Sequence, residues 1–389
     1  MLNTWITKWK ARSELMQVFN AGQVYLSKRN TGGKEIRRYP KIHEVNVQSE
    51  FTRYVFTLPN GLDPKDVAKK EYVFKQVLGS NIELKGEVKK YELTIYKSSM
   101  PTSFKYNYDL IGNDIKSFRV PIYCGVDRNG QYIYYDMAKI PHLLIGGRTG
   151  WGKSTQLRQL LTTLILSRSP EQLELYLGDC KKAEFHVFRN LAHVKANVVR
   201  AGDIRKMLKY LKSEMDRRSD LTDVFGVSHI DDLPADQKFP YLVLCIDEFV
   251  MLRKENDIME SLIDLTAMGR ALGILCILSM QRPVSTVIDT TARSNLNVAM
   301  GFSVRDAIES RVLCTPGAEK ISVKGRFYMD INGDMSEIQA PFLELEKAKK
   351  LLEPFKVAPQ EAKEIFNDAP STNDVKELTY HDVFGDDKE

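Results

Sequence analysis

The sequence predicts an α/β protein: a parallel sheet flanked by helices, preceded by a small α+β domain. Two observations carry that expectation. Five short apolar runs, HLLIGG, LELYLGD, YLVLCID, GILCILSM and LNVAMGF, recur between residues 142 and 302. They are continuously apolar rather than alternating, as strands buried on both faces are, and the stretches between them are long enough for helical crossovers. The first run also leads directly into a glycine-rich turn, a lysine, two hydroxyls and a helical pattern, IPHLLIGGRTGWGKSTQLRQLL.

The elements follow in order. Residues 1–45 read as a helix and a basic, glycine-containing linker, KRNTGGKEIRRYPK. Leu2, Trp5, Ile6 and Trp9 share one helical face beside Lys8, Lys10 and Arg12, a face suited to packing on a domain or to lying on a membrane surface. Residues 46–115 form the small domain. VNVQSEFTRYVFTLP and KKYELTIYK alternate like strands, and LDPKDVAKKEYVFKQVLG has helical periodicity behind an Asp/Pro start. SSMPTSFKYNYDLIGND reads as a connector. The large domain, 116–345, opens with FRVPIYCGVD and YIYYDMA as a hairpin around Arg128-Asn129-Gly130. Residues 346–389 read as an acidic tail ending in HDVFGDDKE.

Composition narrows the function. The chain has 389 residues, 43% of them hydrophobic, with 56 Lys+Arg against 51 Asp+Glu. The charge is unevenly spread: the first 140 residues hold 23 cations against 14 acids, and the last 50 hold 7 against 12. A polyanion would therefore meet the N-terminal half. Cys124, Cys180, Cys245, Cys276 and Cys314 form no C-x-x-C pair and sit mostly in apolar runs, which fits reduced thiols of a cytosolic protein. The six histidines show no ligand spacing. No run approaches the roughly 18 apolar residues of a membrane span, and no signal peptide is visible, so a soluble protein is expected.

The chemistry begins at Gly147-Arg148-Thr149-Gly150-Trp151-Gly152-Lys153-Ser154, which fits G-x-x-x-x-G-K-[ST]. Such a loop turns backbone N–H groups inward around a phosphate chain, and the following helix adds its positive end. Lys153 is placed to reach the β- and γ-phosphates and Ser154 to hold Mg²⁺, ahead of Thr155. Residues 147–155 are thus the expected ATP cradle. Hydrolysis needs more. The run YLVLCIDE ends in Asp247, expected to support Mg²⁺, and Glu248, expected to orient or deprotonate water. Gln281, the first residue of QRP, stands at the end of the strand GILCILSM, where a polar residue can sense the γ-phosphate.

The order and spacing of these segments resemble the motor domain of the FtsK/SpoIIIE DNA translocases, within the FtsK–HerA group. The resemblance runs from Ile140 to Tyr328. It takes in HLLIGGRTGWGKS, GDCKKAEF with Asp179, Lys181 and Glu184, SEMDRRSD, CIDEF, GRALGILCILSMQRP and PGAEKISVKGRFYMD. It implies a RecA-like motor forming a homo-hexameric ring around double-stranded DNA, with ATP and Mg²⁺ between subunits. It also implies an arginine finger at Arg270, supplied to the neighbouring subunit, and a second basic residue at Arg305. Lys181, Lys182 and Arg218 are candidate DNA contacts. The chain shows neither the N-terminal membrane spans nor the C-terminal winged-helix module of the large translocases. It is closer to the compact ATPases of conjugative plasmids, integrative elements and phages. That implies a cytoplasmic protein recruited, where anchoring is needed, by a membrane or relaxosome partner.

The leading expectation is an ATP-driven double-stranded DNA translocase. The alternatives are a secretion-type motor moving polypeptide, which shares these motifs, and a slow, nucleotide-gated DNA-binding scaffold.

Overall fold

The computed structural model describes residues 2–29, 34–284 and 293–358, with side chains from residue 5 onward. The chain divides near residue 100 into two compact units.

In the N-terminal unit, helix α1 (Leu2–Ala21) leads to a two-stranded ribbon, β1 (Leu26–Arg29) and β2 (Glu35–Arg38). A four-stranded antiparallel sheet follows, built from β3 (Lys41–Val47), β4 (Phe51–Thr57), β5 (Ile82–Gly86) and β6 (Lys90–Tyr96) in the order β3-β4-β6-β5. Helices α2 (Pro64–Lys69) and α3 (Glu71–Leu78) connect β4 to β5. The Asp63 carboxylate accepts from the Lys65 N–H and Pro64 opens α2, the start that the Asp/Pro pair signalled. Alternation buries Tyr54 and Phe56 of β4 and Leu93 of β6 against Leu15, Val18 and Phe19 of α1, Val67 of α2 and Phe74 of α3. Phe19 meets Phe56 edge-on at 5.1 Å between centroids.

Two expectations change here. Residues 1–45 are not a separate helix and linker: α1 belongs to the same core as the sheet, and KRNTGGKEIRRYPK contributes β1 and β2 around residues 30–33, which lie outside the described residues. The face of α1 that packs is Ala11, Leu15, Val18 and Phe19, at helical spacing. Trp5 and Trp9, on the expected face, are 70% and 61% exposed; the side chain of Leu2 lies outside the described residues.

The second unit is built on one ten-stranded sheet. Its strands are β7 (Pro121–Val126), β8 (Tyr132–Asp136), β9 (Leu143–Gly146), β10 (Leu173–Asp179), β11 (Val194–Val198), β12 (Tyr241–Asp247), β13 (Ile274–Met280), β14 (Val298–Phe302), β15 (Arg326–Ile331) and β16 (Asp334–Gln339). Their order is β11-β10-β12-β13-β9-β14-β15-β16-β7-β8. The first six in that order run parallel and the last four pair antiparallel. All five apolar runs are strands of the parallel part.

Period-2 alternation explains why those runs are apolar throughout. Leu143, Ile145, Leu175, Leu177, Val243, Cys245, Leu275 and Ile277 face one core, with Leu157, Leu160, Leu161 and Leu164 of α4 (Lys153–Ser167). Leu144, Tyr176, Leu244, Ile246, Cys276 and Leu278 face the other, with α5 (Ala201–Phe225) and α6 (Asn256–Met268). Helices thus cover both faces, as a parallel sheet requires.

The unit is longer at both ends than expected. Residues 101–115 are not a bare connector. Tyr106, Ile111 and Ile115 are buried with Tyr123 and Leu343, and the Tyr106 hydroxyl lies 2.8 Å from Thr163 Oγ1. At the other end α7 (Ala307–Val312) is followed by α8 (Leu345–Leu352), whose Ala348 and Leu352 are buried. The acidic tail beyond residue 358 lies outside the described residues.

Candidate active site

Parallel pairing brings the carboxyl ends of β9, β13, β12 and β10 to one edge, where open α/β sheets bind ligands. The residues that follow those four strands form the site. After Gly146, residues 147–152 turn back into α4, whose amino end points at the loop. Gly150 (φ +82°) and Gly152 (φ +112°) hold left-handed backbone that a side chain would strain. A Cβ on Gly152 would also lie 2.9 Å from the Cα of Gly325, so the loop is wedged against the turn before β15. The Gly325 N–H donates to the Trp151 carbonyl at 3.0 Å, pinning that contact.

Lys153 is the first residue of α4 and only 3% exposed. Its ammonium donates to Asp247 Oδ1 at 2.5 Å and to the Ser279 hydroxyl at 2.9 Å. Ser279 in turn donates to Asp247 Oδ1. The loop lysine, the strand-end aspartate and the serine therefore form one buried knot. Such a charge is tolerated because it is paired and hydrogen-bonded.

Glu248 is 7% exposed and left-handed (φ +57°), a conformation glutamate avoids and that clusters at functional sites. Its Oε2 accepts from the Gln281 N–H at 3.1 Å and lies 3.3 Å from the Lys181 ammonium. Gln281 also accepts from the Thr149 hydroxyl at 3.0 Å. Four strand ends are thereby stitched together before any ligand arrives. Asp179 sits opposite Asp247 in register; its Oδ2 accepts from the Glu184 and Phe185 N–H groups, while its buried Oδ1 has no hydrogen-bond partner. Cys180 is inert in this setting: burial first, then the Asp247 and Asp179 carboxylates, push its thiol up to about 12.

A cavity of about 390 Å³ opens over the loop, lined by Thr149, Gly150, Gly152, Lys153, Ser154 and Thr155, with Arg148 and Gln281 beside them. Two expected contacts are absent from that lining, Gly147 and Trp151. Trp151 packs partly buried against the core, and Arg148 stacks on it at 5.0 Å while donating to Ser303 Oγ at 2.6 Å. These side chains brace the loop. The cavity's far wall was not foreseen: Thr102, Ser103, Lys324, Pro341 and Phe342. Ser279 was also missed, although it lies two residues before Gln281 on one strand.

Arg270 is exposed and precedes β13, whose seven residues separate it from Gln281 by roughly 20 Å. The structure does not bring it to its own chain's loop. Arg305 follows β14 on the loop side of the sheet, exposed, its N–H donating to Glu309. Of the expected DNA contacts, Lys181 is paired with Glu248. Arg218 is 1% exposed; it binds Glu214 and donates to the Leu272 and Pro240 carbonyls. It is a structural clamp and presents no charge to a ligand.

The Ser154 hydroxyl, the Asp247 carboxylate and the unpartnered Asp179 Oδ1 are hard oxygen donors of the kind Mg²⁺ accepts. Among the described residues no three His, Cys, Asp or Glu side chains form a metal cage.

Fold and site together define a P-loop ATPase. Residues 112–239 match the FtsK/SpoIIIE family. It is 33% identical over 255 residues to the DNA translocase FtsK of Borreliella burgdorferi, covering 61% of this chain and 32% of that protein. The chain thus spans about a third of that relative's length. Among solved structures, the conjugation coupling protein TcpA of pCW3, in a monomer form with ATPγS, superposes with a TM-score of 0.60 at 21% identity, covering 89% of this chain and all of that one. The cytoplasmic domain of the type VII secretion ATPase EccC of Thermomonospora curvata gives 0.56 at 25% identity, over 62% of this chain and 32% of that one. Among the described residues no helix is long and apolar enough to cross a membrane.

Proposed function

We propose that this chain binds ATP with Mg²⁺ and couples its hydrolysis to movement along double-stranded DNA, in the service of plasmid, integrative-element or phage DNA transfer. The observation that carries the reading is the assembly at one sheet edge of Lys153, Asp247, Glu248 and Gln281 around a glycine-rich loop. Relatives above 30% identity named as DNA translocases support DNA as the cargo.

In this reading ATP enters the cavity and Lys153 exchanges Asp247 for the β- and γ-phosphates. Asp247, so released, and Ser154 would hold Mg²⁺, which when bound would neutralise phosphate charge. Glu248 holds the attacking water and takes its proton, and Gln281 reports the γ-phosphate through its contacts with Glu248 and Thr149. Arg270, remote from its own loop, serves the next subunit of a homo-hexameric ring, with Arg305 as a second contributor across that junction. The protein acts in the cytoplasm, brought to the membrane by a partner where transfer requires it.

The test is the ATPase rate with and without long linear duplex DNA at low and moderate salt. Stimulation that weakens with salt is expected. A rate indifferent to DNA at low salt, with stimulation by an unfolded polypeptide instead, would replace DNA by polypeptide as cargo. Glu248→Gln should lower turnover by a factor of about 10²–10⁴ while ATP binding persists.

A further inference from the structure

The ribbon β1–β2 has a composition unlike the rest of its unit. Residues 26–41 hold six cations, Lys28, Arg29, Lys34, Arg37, Arg38 and Lys41, against one acid, Glu35. The side chains of Ser27 to Arg29 and of Glu35 to Arg38 are exposed.

Register sorts them. Leu26 pairs with Arg38, Ser27 with Arg37, Lys28 with Ile36 and Arg29 with Glu35. Directly opposed residues share a face and neighbours along a strand alternate. One face therefore carries Ser27, Arg29, Glu35 and Arg37, and the other Leu26, Lys28, Ile36 and Arg38.

The first face holds the one acid, Glu35, which stands opposite Arg29 in register and is bonded by Arg37 and Ser27. Arg37 pairs with Glu35 at 2.9 Å, donates to Asn20 Oδ1 at 3.1 Å and stacks over Tyr25 at 4.8 Å, and Ser27 donates to Glu35 at 2.7 Å. These contacts tie the ribbon to the end of α1. The second face has no acid. Lys28 and Arg38 form no ion pair among the described residues, and Ile36 between them is 56% exposed. The two cations are diagonal neighbours, about 7–8 Å apart along the ribbon. Charges held by a ribbon at that spacing suit neighbouring phosphates of one polynucleotide strand, and a two-stranded ribbon fits a DNA groove.

We propose that the Lys28/Arg38 face of this ribbon grips the phosphate backbone of double-stranded DNA, giving the chain a DNA contact outside the motor unit. This rests on the reading that DNA is the cargo. Of the two apolar side chains on this face Leu26 is half-buried, and only Ile36 is exposed beside the two cations, which favours a polyanion in water over a lipid surface, where broad apolar contact is needed. The contact reads no bases, since only phosphates are engaged.

The test uses the full chain and a fluorescent duplex several helical turns long, titrated by anisotropy across a salt series. For Lys28→Ala/Arg38→Ala the slope of log K against log salt should flatten by about 2, and binding near 0.1 M salt should loosen at least roughly tenfold. ATPase rate without DNA should not change. The charge-retaining Lys28→Arg/Arg38→Lys pair should keep the wild-type slope, and Glu35→Ala/Arg37→Ala on the opposite face should leave it nearly unaltered. An unchanged slope in Lys28→Ala/Arg38→Ala, with wild-type duplex binding intact, overturns the proposal and leaves the DNA reading standing. Failure of the wild-type chain to bind duplex at low salt removes the DNA reading and this proposal with it. Vesicles of phosphatidylcholine and phosphatidylserine give the last arm: loss of vesicle binding in the variant with duplex affinity retained assigns the ribbon to membrane and overturns the proposal.

Discussion

Phe342 offers a sharp test of how the nucleotide lies in the cavity. Its backbone is fixed by two hydrogen bonds, its N–H to the Phe104 carbonyl at 2.8 Å and its carbonyl from the Tyr106 N–H at 3.1 Å. Its ring nonetheless remains 49% exposed and lines the cavity that begins at Lys153. An anchored aromatic half in water beside a phosphate loop is placed to receive a base. A phenylalanine presents about 200 Å², so covering the exposed half removes on the order of 100 Å² from water. At about 25 cal/mol per Å² that is ~2.5 kcal/mol, within the 1–3 kcal/mol found for base–aromatic stacking. Phe342→Ala should therefore weaken ATP roughly 10- to 100-fold. The assay is calorimetric titration with ATP and, separately, with inorganic tripolyphosphate, which contacts only the loop. Tripolyphosphate affinity should not move, and Phe342→Trp should restore ATP binding. Equal losses for both ligands would mean that the substitution distorts the loop, and no loss for either would place the base elsewhere.

Two further expectations concern the frame around the site. Arg218→Met removes the clamp between α5 and the turn that carries Arg270. The buried carbonyl of Leu272 and the half-buried one of Pro240 lose their donor while Glu214 keeps Arg217, so a loss of about 2–4 kcal/mol is expected by urea denaturation. A change under about 0.5 kcal/mol, the size of an ordinary surface substitution, would show the clamp to be inert. His142, just before β9, is held neutral by burial, its folded value lowered from 6.5 to about 4, and its Nδ1 accepts the Cys276 N–H. Above pH 6.5 it is neutral folded or unfolded and contributes no pH dependence. As pH falls from 6.5 to about 4 only the unfolded chain takes the proton, so stability should fall by on the order of 3 kcal/mol. His142→Asn, which tolerates the φ of +59° there, should flatten that slope in thermal unfolding between pH 4 and 7; an equally steep slope in the variant would assign it to other groups.

What could be read from the sequence divides along a physical line. The parallel sheet and the loop were legible because their signals are local. Strands buried on both faces must be apolar throughout, and a loop that wraps phosphate must be rich in glycine. Asp247, Glu248 and Gln281 were legible for a related reason: each ends such a strand, and parallel pairing brings strand ends to one edge. The ribbon β1–β2 reads as a linker because neither face is buried, so it has no hydrophobic period to betray it. Trp5 and Trp9 misled in the opposite sense, since their spacing is helical but the core lies under Leu15, Val18 and Phe19. The wall formed by Thr102, Ser103 and Phe342 was hidden because it joins segments some 240 residues apart through a short parallel bridge at Lys105 and Phe342. Ser279 was hidden in another way. In LSMQRP it looks like one more small residue of a buried strand, and only the three-dimensional meeting of Lys153 with Asp247 gives its hydroxyl two partners. In this site the residues expected to meet phosphate and water announce themselves by motif. Those that hold them in place take their meaning from neighbours distant in sequence, so a variant that spares every motif residue can still disable the site through Ser279, Gly325 or Phe342.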